Sequence, residues 1–265
     1  MTRFQNMNIF KTLKVTRADF GMQVIFNRIE RRNSLTPNSI DELEAALDMA
    51  EENPDCRMVI FEGQEGIFCT GMDFEPLVKS KMTNNPVANK SLISKYSNLL
   101  KCITSSSRLI ISNVDGEVTA GGMGIVAASD VVISSSESRF SLSEALWGLM
   151  PSMVLPYLIR RVGFQKAYLI SLTTLPISAE EALRIHLVDE ISSSPGNTIR
   201  RIGLRNRCIE PSVISNIKKY IGTMSFITPK MEDAAVMETS RLLAEPKVRE
   251  NIAGFVQNGR FPWEA

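Results

Sequence analysis

The sequence predicts an α/β fold, a layered domain of buried strands alternating with helices, on three observations. Short apolar runs rich in β-branched residues recur at 22–26 (MQVIF), 57–63 (RMVIFEG), 108–114 (RLIISNV) and 130–134 (DVVIS). A capped amphipathic helix separates the first two. Beyond a turn-rich stretch at 193–197 the pattern is helical alone, without β-branched strand runs. Strand and helix in alternation argue for helices layered on a sheet. The 265 residues suffice for one sizeable core with a smaller appendage.

Each of the four runs is apolar and bounded by polar residues or glycine, as buried strands should be. In the helix between the first two, Thr36 can cap the amino end and Pro37 suits the first turn. Ile40, Leu43, Leu47 and Ala50 then recur on one face while Asp41, Glu42 and Glu51 stay outside. The polar stretch 79–91 (KSKMTNNPVANKS) is expected to be a mobile loop or a frayed helix. Another helix is expected from Ser178, because Ser178 and Glu181 have the S-x-x-E spacing of a capping box. The turn formers at 193–197 set the expected division between a core over 1–195 and a helical region over 196–265. In that region Ile214, Ile217 and Ile221 share a face, as do Val248, Ile252, Phe255 and Val256. Helices with so little core of their own are expected to dock both on the first domain and on another subunit.

Charge and composition exclude several function classes. Lys and Arg (30) balance Asp and Glu (29) and are spread along the chain, so neither nucleic acid nor an anionic membrane is favoured as partner. No apolar run has the length of a signal peptide or a membrane span, and the expectation is a cytoplasmic protein. Cys56, Cys69, Cys102 and Cys208 show no C-x-x-C pairing and no regular spacing, which argues against metal or disulfide frameworks. His186 is the only histidine, so a Ser-His-Asp triad or a His-ligated metal has little to build on.

The residues that carry chemistry lie in three segments. In GQEGIFCTGMDFEPL (63–77) a strand ends in a glycine-containing turn, which exposes backbone N–H groups, and the amide of Met72 is one candidate. In TAGGMG (119–124) glycines open a helix, where N–H groups lack intrahelical partners and the macrodipole favours negative charge; the amide of Gly121 is the second candidate. Two such donors from separate loops would make an oxyanion hole. In SLSEALWGLMP (141–151) Glu144 stands among Leu142, Ala145, Leu146 and Leu149, so desolvation should raise its pKa toward the range useful for proton transfer. Asp73, Glu75 and Glu117 lie near these motifs as candidates for a second proton-transfer group. Arg31 and Arg32 could meet a phosphate, and Lys79, Lys81, Arg160 and Arg161 are the cations available for a substrate carboxylate. Phe255, Phe261 and Trp263 are expected to give apolar cover or to close a pocket, with cover favoured for Trp263.

FCTGMDF (68–74), VDGEVTAGGMGIVAASDVVI (114–133) and the long run from FSLSEALWGLMP (140–151) to QKAYLI (165–170), in this order and at these intervals, resemble the crotonase, or enoyl-CoA hydratase/isomerase, superfamily. FNRIERRNSLTP (26–37) is similar to that family's N-R-P-x-x-x-N-A-L segment, with Ile29 where proline is usual. The resemblance implies a crotonase-like spiral of ββα units with a carboxy-terminal helical trimerisation region, a homotrimer or hexamer, and no cofactor beyond the phosphopantetheine thioester, on CoA or an acyl carrier protein, that bears the substrate. It puts the oxyanion donors on the amides of Met72 and Gly121. Hydratases of the family use two glutamates; the second matches Glu144, but the first falls on Gly124, which has no side chain.

With one carboxylate the enzyme can still shuttle a proton between carbons, or remove an α-proton and return it to a departing hydroxyl. The runs 141–167, TTLPISAEEA (173–182) and NGRFPWEA (258–265) resemble the hydroxymethylglutaryl-ACP dehydratases of polyketide β-branching cassettes. That closer resemblance implies a hydro-lyase converting 3-hydroxy-3-methylglutaryl-ACP to 3-methylglutaconyl-ACP. An enoyl-CoA isomerase or another acyl-CoA lyase of the family is the alternative, and a non-catalytic assembly subunit is the rival of a different class.

Overall fold

The computed structural model describes residues 10–79, 86–225 and 227–264. The chain opens with an antiparallel hairpin, β1 (Leu13–Ala18) and β2 (Gly21–Phe26), followed by α1 (Pro37–Glu52). Thr36 caps α1 as its position predicts: its side chain accepts from the Ser39 amide at 3.1 Å, and the Ser39 hydroxyl accepts from the Thr36 amide at 3.2 Å. Ile40, Leu43, Leu47 and Ala50 are all buried, so the apolar stripe faces the core. Replacing Thr36 with Ala frees one end of this reciprocal pair and is expected to cost about 1 kcal/mol, measured as a shift in the denaturant midpoint.

Three turns of a spiral follow, each giving one strand to a larger sheet, one to a smaller sheet, and then helices. The first turn is β3 (Met58–Glu62), β4 (Ile67–Cys69), α2 (Phe74–Lys79) and α3 (Pro86–Ser105). The second is β5 (Leu109–Val114), β6 (Glu117–Thr119) and α4 (Gly121–Ala128). The third is β7 (Val131–Ser134), β8 (Arg139–Ser141), a 3-10 turn over Glu144–Trp147, α5 (Leu155–Val162) and α6 (Phe164–Thr173). Then come β9 (Ile177–Ser178), α7 (Ala179–Arg184) and β10 (Glu190–Ile191). The larger sheet runs β1-β2-β3-β5-β7-β10, parallel from β2 onward, and the smaller runs β4-β6-β8-β9. In register, Ile60 faces Ile111 and Ile111 faces Val131.

All four apolar runs of the sequence are strands of the larger sheet. Helix α4 is buried from Gly122 to Ala128, consistent with a helix apolar on all sides. Its amino end is therefore held deep in the molecule, next to the smaller sheet. Among the described residues no helix is long and apolar enough to cross a membrane.

Some local expectations change. Ser178 caps α7 by accepting from the Glu181 amide at 3.2 Å, but the Glu181 carboxylate turns to Arg184 rather than back to the cap, so only half of the box forms. Of the turn formers at 193–197, Pro195, Gly196 and Asn197 make the first turn of α8 (Pro195–Asn206), because proline is tolerated where no helical N–H is required. Of the polar stretch 79–91, residues 80–85 lie outside the described residues, and from Pro86 the chain is helical.

The carboxy-terminal helical bundle comprises α8, α9 (Pro211–Thr223), α10 (Pro229–Ala244) and α11 (Pro246–Asn258). Val248 and Ile252 of α11 are buried as expected. On α9 only Ile214 is buried, while Ile217 and Ile221 are exposed.

Candidate active site

The two loops expected to supply backbone donors touch one another. β4 ends at Cys69, and Gly71 turns the chain with φ +87°, a conformation that side chains rarely adopt. A Cβ at Gly71 would lie 2.9 Å from the Gly121 nitrogen and 2.8 Å from the Ala120 Cβ, so only glycine permits this approach. Leu35, just before the α1 cap, clamps the loop: its N–H donates to the Gly71 carbonyl at 2.7 Å, and its carbonyl accepts from the Asp73 N–H at 2.8 Å. That is a parallel bridge, in which the residue between the two bonded positions, Met72, leaves its own N–H out of the ladder.

Gly121 is the first residue of α4, so its N–H has no acceptor within the helix. The residue before it, Ala120, has φ 49° and ψ −118°, a strained conformation for a residue with a Cβ. Such strain persists only where surrounding contacts over-determine it and tends to cluster at functional sites. Here the Ala120 N–H donates to the Ser141 carbonyl of β8 at 3.1 Å.

Glu144 begins the 3-10 turn that follows β8. Part of the residue is accessible, yet its Oε2 is withdrawn from solvent and has no hydrogen-bond partner in the protein. Desolvation raises the pKa to about 7, opposed only by a hydrogen bond from the residue's own amide. Of the neighbours expected to desolvate it, Leu142 is buried and Leu149 lines the same cavity, whereas Ala145 and Leu146 are exposed; Trp147 and residues remote in the chain, Tyr96 among them, complete the wall.

Met72, Gly121, Glu144 and Tyr96 line one cavity of about 910 Å³, within the range of small-molecule sites. Its walls come from 30–35, the loop 70–75, Leu92, Ile93 and Tyr96 of α3, the segments 117–121 and 141–154, and the tail. Trp147, almost fully buried, is the hub of the tail wall, with ring centroids 5.0 Å from Phe74, 5.2 Å from Phe255 and 5.4 Å from Trp263. Phe255, Phe261 and Trp263 all line the cavity, so Trp263 is a wall and not cover alone. Ser152 and Thr239 add two hydroxyls 2.5 Å apart.

Arg31 and Arg32 also line the cavity, and both are ion-paired: Arg31 with Asp73 at 3.4 Å and with Glu75, Arg32 with Glu117. These pairs occupy all three candidates for a second proton-transfer group. Burial works to raise the Asp73 pKa, but hydrogen bonds from Arg28 and the Glu75 amide and the charge of Arg31 outweigh it and hold Asp73 below the ordinary range. A hydrogen bond from Lys79, then the charge of Arg31, does the same for Glu75. Neither is suited to trade protons near neutral pH.

Lys79, Arg160, Arg161 and the four thiols are not among the residues that line the cavity. Arg160 donates to the Ala127 carbonyl at 3.0 Å and Arg161 pairs with Asp189 at 2.9 Å; Lys79 pairs with Glu75, and Lys81 lies outside the described residues. His186 is exposed, with φ 66° just past the end of α7. All four cysteines are free; Cys56 and Cys69 are buried, with burial pushing their thiols to about 11 and about 12, whereas Cys208 is exposed. Among the described residues no cluster of His, Cys, Asp or Glu could hold a metal ion.

Sequence reasoning passed over Tyr96, Trp147, Ser152 and Thr239. Tyr96 could have been found as the one polar-tipped residue in the stripe Leu92, Ile93, Tyr96, Leu99, Leu100, Ile103, all of it buried.

Comparison with known proteins identifies the family. The family model described as enoyl-CoA hydratase/isomerase matches residues 21–265. The bacillaene synthase dehydratase PksH of Bacillus subtilis is 31% identical over 255 residues, covering 96% of this chain and 97% of that protein. The crystal structure of a polyketide biosynthesis enoyl-CoA hydratase, pksH, from the same organism superposes with TM-score 0.86 at 29% identity, over 96% of this chain and 100% of that one. An enoyl-CoA hydratase/isomerase from Xanthobacter autotrophicus Py2 shares the fold, with TM-score 0.85 at 21% identity over 94% of each chain. The chain belongs to the enoyl-CoA hydratase/isomerase family, the crotonase superfamily of enzymes, and has that family's spiral of ββα units with a helical bundle at its carboxy terminus.

Proposed function

We propose that this enzyme removes water from 3-hydroxy-3-methylglutaryl carried as a phosphopantetheine thioester on an acyl carrier protein, giving the 3-methylglutaconyl thioester. The observation that carries the reading is Glu144: a desolvated carboxylate with its pKa raised to about 7, on the same cavity as the two proposed backbone donors. The thioester oxygen sits against the Met72 and Gly121 amides, which stabilise the enolate formed when the C2 proton leaves. Glu144 takes that proton and delivers one to the departing C3 hydroxyl, so a single carboxyl group serves as base and then as acid. Likeness to a protein named a dehydratase of bacillaene synthase supports the same direction of reaction.

Arg31 and Arg32 are the groups proposed to meet phosphates of the arm, exchanging their carboxylate partners for a stronger anion. The test is mass spectrometry of carrier protein loaded with 3-hydroxy-3-methylglutaryl, with the CoA thioester as a parallel arm. Loss of one water from the loaded carrier is the expected result. Further loss of carbon dioxide, or an unchanged mass, overturns the reading; turnover of the CoA thioester alone overturns the carrier protein as partner.

The pH dependence follows from the same residue. Glu144 must be ionised to take the C2 proton, and its pKa is raised to about 7. The expected profile of kcat/KM therefore rises with pH up to about 7 and levels off above it, whereas an unperturbed glutamate would place the rise near its ordinary value of 4.5.

We further propose a homotrimer or hexamer. Phe164, Tyr168 and Leu172 along α6 with Leu175 just beyond it, and Val213, Ile217 and Tyr220 along α9 with Met224 at its carboxy cap, form apolar faces exposed on the single chain. Light scattering on the purified protein is expected to give three or six times the 29.5 kDa chain mass; a monomer contradicts it.

A further inference from the structure

We propose that Tyr96 is a positioning residue for the oxyanion hole, and that glycine at position 124 is what makes room for its hydroxyl. The inference rests on the acyl-thioester reading of the cavity but not on which acyl group is bound.

Tyr96 reaches in from α3, and its Oη donates to the Gly121 carbonyl at 2.5 Å, on the residue whose amide is one of the two oxyanion donors. A Cβ built on Gly124 would stand 2.1 Å from that Oη and 3.2 Å from Cζ. Any side chain at 124 therefore evicts the phenol. The space that a glutamate at this position would fill holds instead a tyrosine from a different helix.

The bond has a local task. Ala120, immediately before Gly121, is held at φ 49°, and its amide is tied to Ser141 on one side. Tyr96 ties the other side, through the Gly121 carbonyl, so the strained pair 120–121 is gripped at both ends. Burial first, then the neighbouring Cys69 and Glu144, push the Tyr96 hydroxyl well above its ordinary range. It stays protonated, and its one proton is committed to Gly121. The group orients the backbone and is a poor proton carrier.

The experiment compares wild type with Tyr96→Phe, Gly124→Ala and the double variant Gly124→Ala/Tyr96→Phe. An aryl-enoyl-CoA probe is used, whose absorption shifts to the red when its carbonyl oxygen is polarised by hydrogen bonds. Tyr96→Phe keeps the ring and removes the bond, so the expected result is a diminished red shift. With the loaded substrate, kcat is expected to fall about tenfold, less than the loss of a whole oxyanion donor, with KM little changed. Gly124→Ala is expected to lose at least as much, and the double variant to be no worse than Tyr96→Phe alone, because removing the hydroxyl removes the clash.

A full red shift and unchanged kcat in Tyr96→Phe overturn the proposal, as do losses that simply multiply in the double variant. Should Tyr96→Phe fail to fold, the probe shift of Gly124→Ala decides: a wild-type shift there overturns it. Absence of a red shift in the wild type overturns the oxyanion hole itself, and this proposal with it.

Discussion

Replacing Glu144 with Gln is expected to lower kcat by about 10²–10⁴-fold, the usual contribution of a positioned general acid–base. Gln matches the shape but can neither accept the C2 proton nor return one to the leaving hydroxyl. The loss is expected to fall on kcat, with KM little changed, because Gln keeps the shape of the side chain and Oε2 of Glu144 has no hydrogen-bond partner in the protein to lose. No neighbouring acid rescues the variant: Asp73 and Glu75 are held ionised by their cationic partners, and the position where the family resemblance would put a second glutamate is Gly124.

A stability change of opposite sign should accompany the loss of activity. The folded-state pKa of Glu144 is raised from 4.5 to about 7, so the folded protein holds this proton more tightly than the unfolded chain does. The stabilising effect of the proton is complete below the unfolded pKa and is lost as pH rises through the folded one. Glu144→Gln removes that dependence. Its stability advantage over wild type is expected to grow between those two pH values to at most roughly 3 kcal/mol, and to hold constant above them. Denaturant unfolding across pH reads this directly, and a variant less stable than wild type at pH 8 contradicts the desolvated carboxylate.

The second large effect is expected at Gly71. Alanine there must abandon φ +87° or push its Cβ against Gly121 N and Ala120 Cβ, and either outcome parts the two loops. Both donors are then misaligned, and kcat should fall by at least the 10²–10³-fold that follows loss of one oxyanion donor, a value of about 3–4 kcal/mol in barrier height. Global stability should fall far less, since the larger sheet and its core lie behind the loop. Circular dichroism melts beside steady-state kinetics separate the two, and an active Gly71→Ala enzyme would remove the oxyanion hole from the account.

Strands β2, β3, β5 and β7 of the larger sheet were legible because they are four or more residues long, apolar and sharply bounded, and α1 because its cap and stripe agree; the edge strands β1, with polar residues in alternation, and β10, of two residues, were not. The strands of the smaller sheet were hardly legible. β4, β6 and β8 are three residues each, too short for any period, and owe their existence to the turns that stack them. Met72, Gly121 and Glu144 could be picked out because each depends on local chemistry: a turn after a strand, a glycine helix start, a carboxylate in an apolar segment. The ion pairs of Arg31 and Arg32 and the entry of Tyr96 into the space above Gly124 depend on contacts between distant segments. Nothing local to those residues encodes them. The enclosure of Glu144 was legible in part: Leu142 is buried and Leu149 lines the cavity, whereas Ala145 and Leu146 face outward.

The central claim is that one carboxylate, Glu144, moves the proton at C2 of an acyl thioester whose oxygen is gripped by main-chain amides. Its most direct test uses a 3-methylglutaryl thioester, which lacks the hydroxyl and cannot dehydrate, incubated with the enzyme in deuterium oxide. The wild type is predicted to exchange the C2 hydrogens for deuterium, and Glu144→Gln to leave them in place. Equal exchange by the two proteins, or none by the wild type, would contradict it.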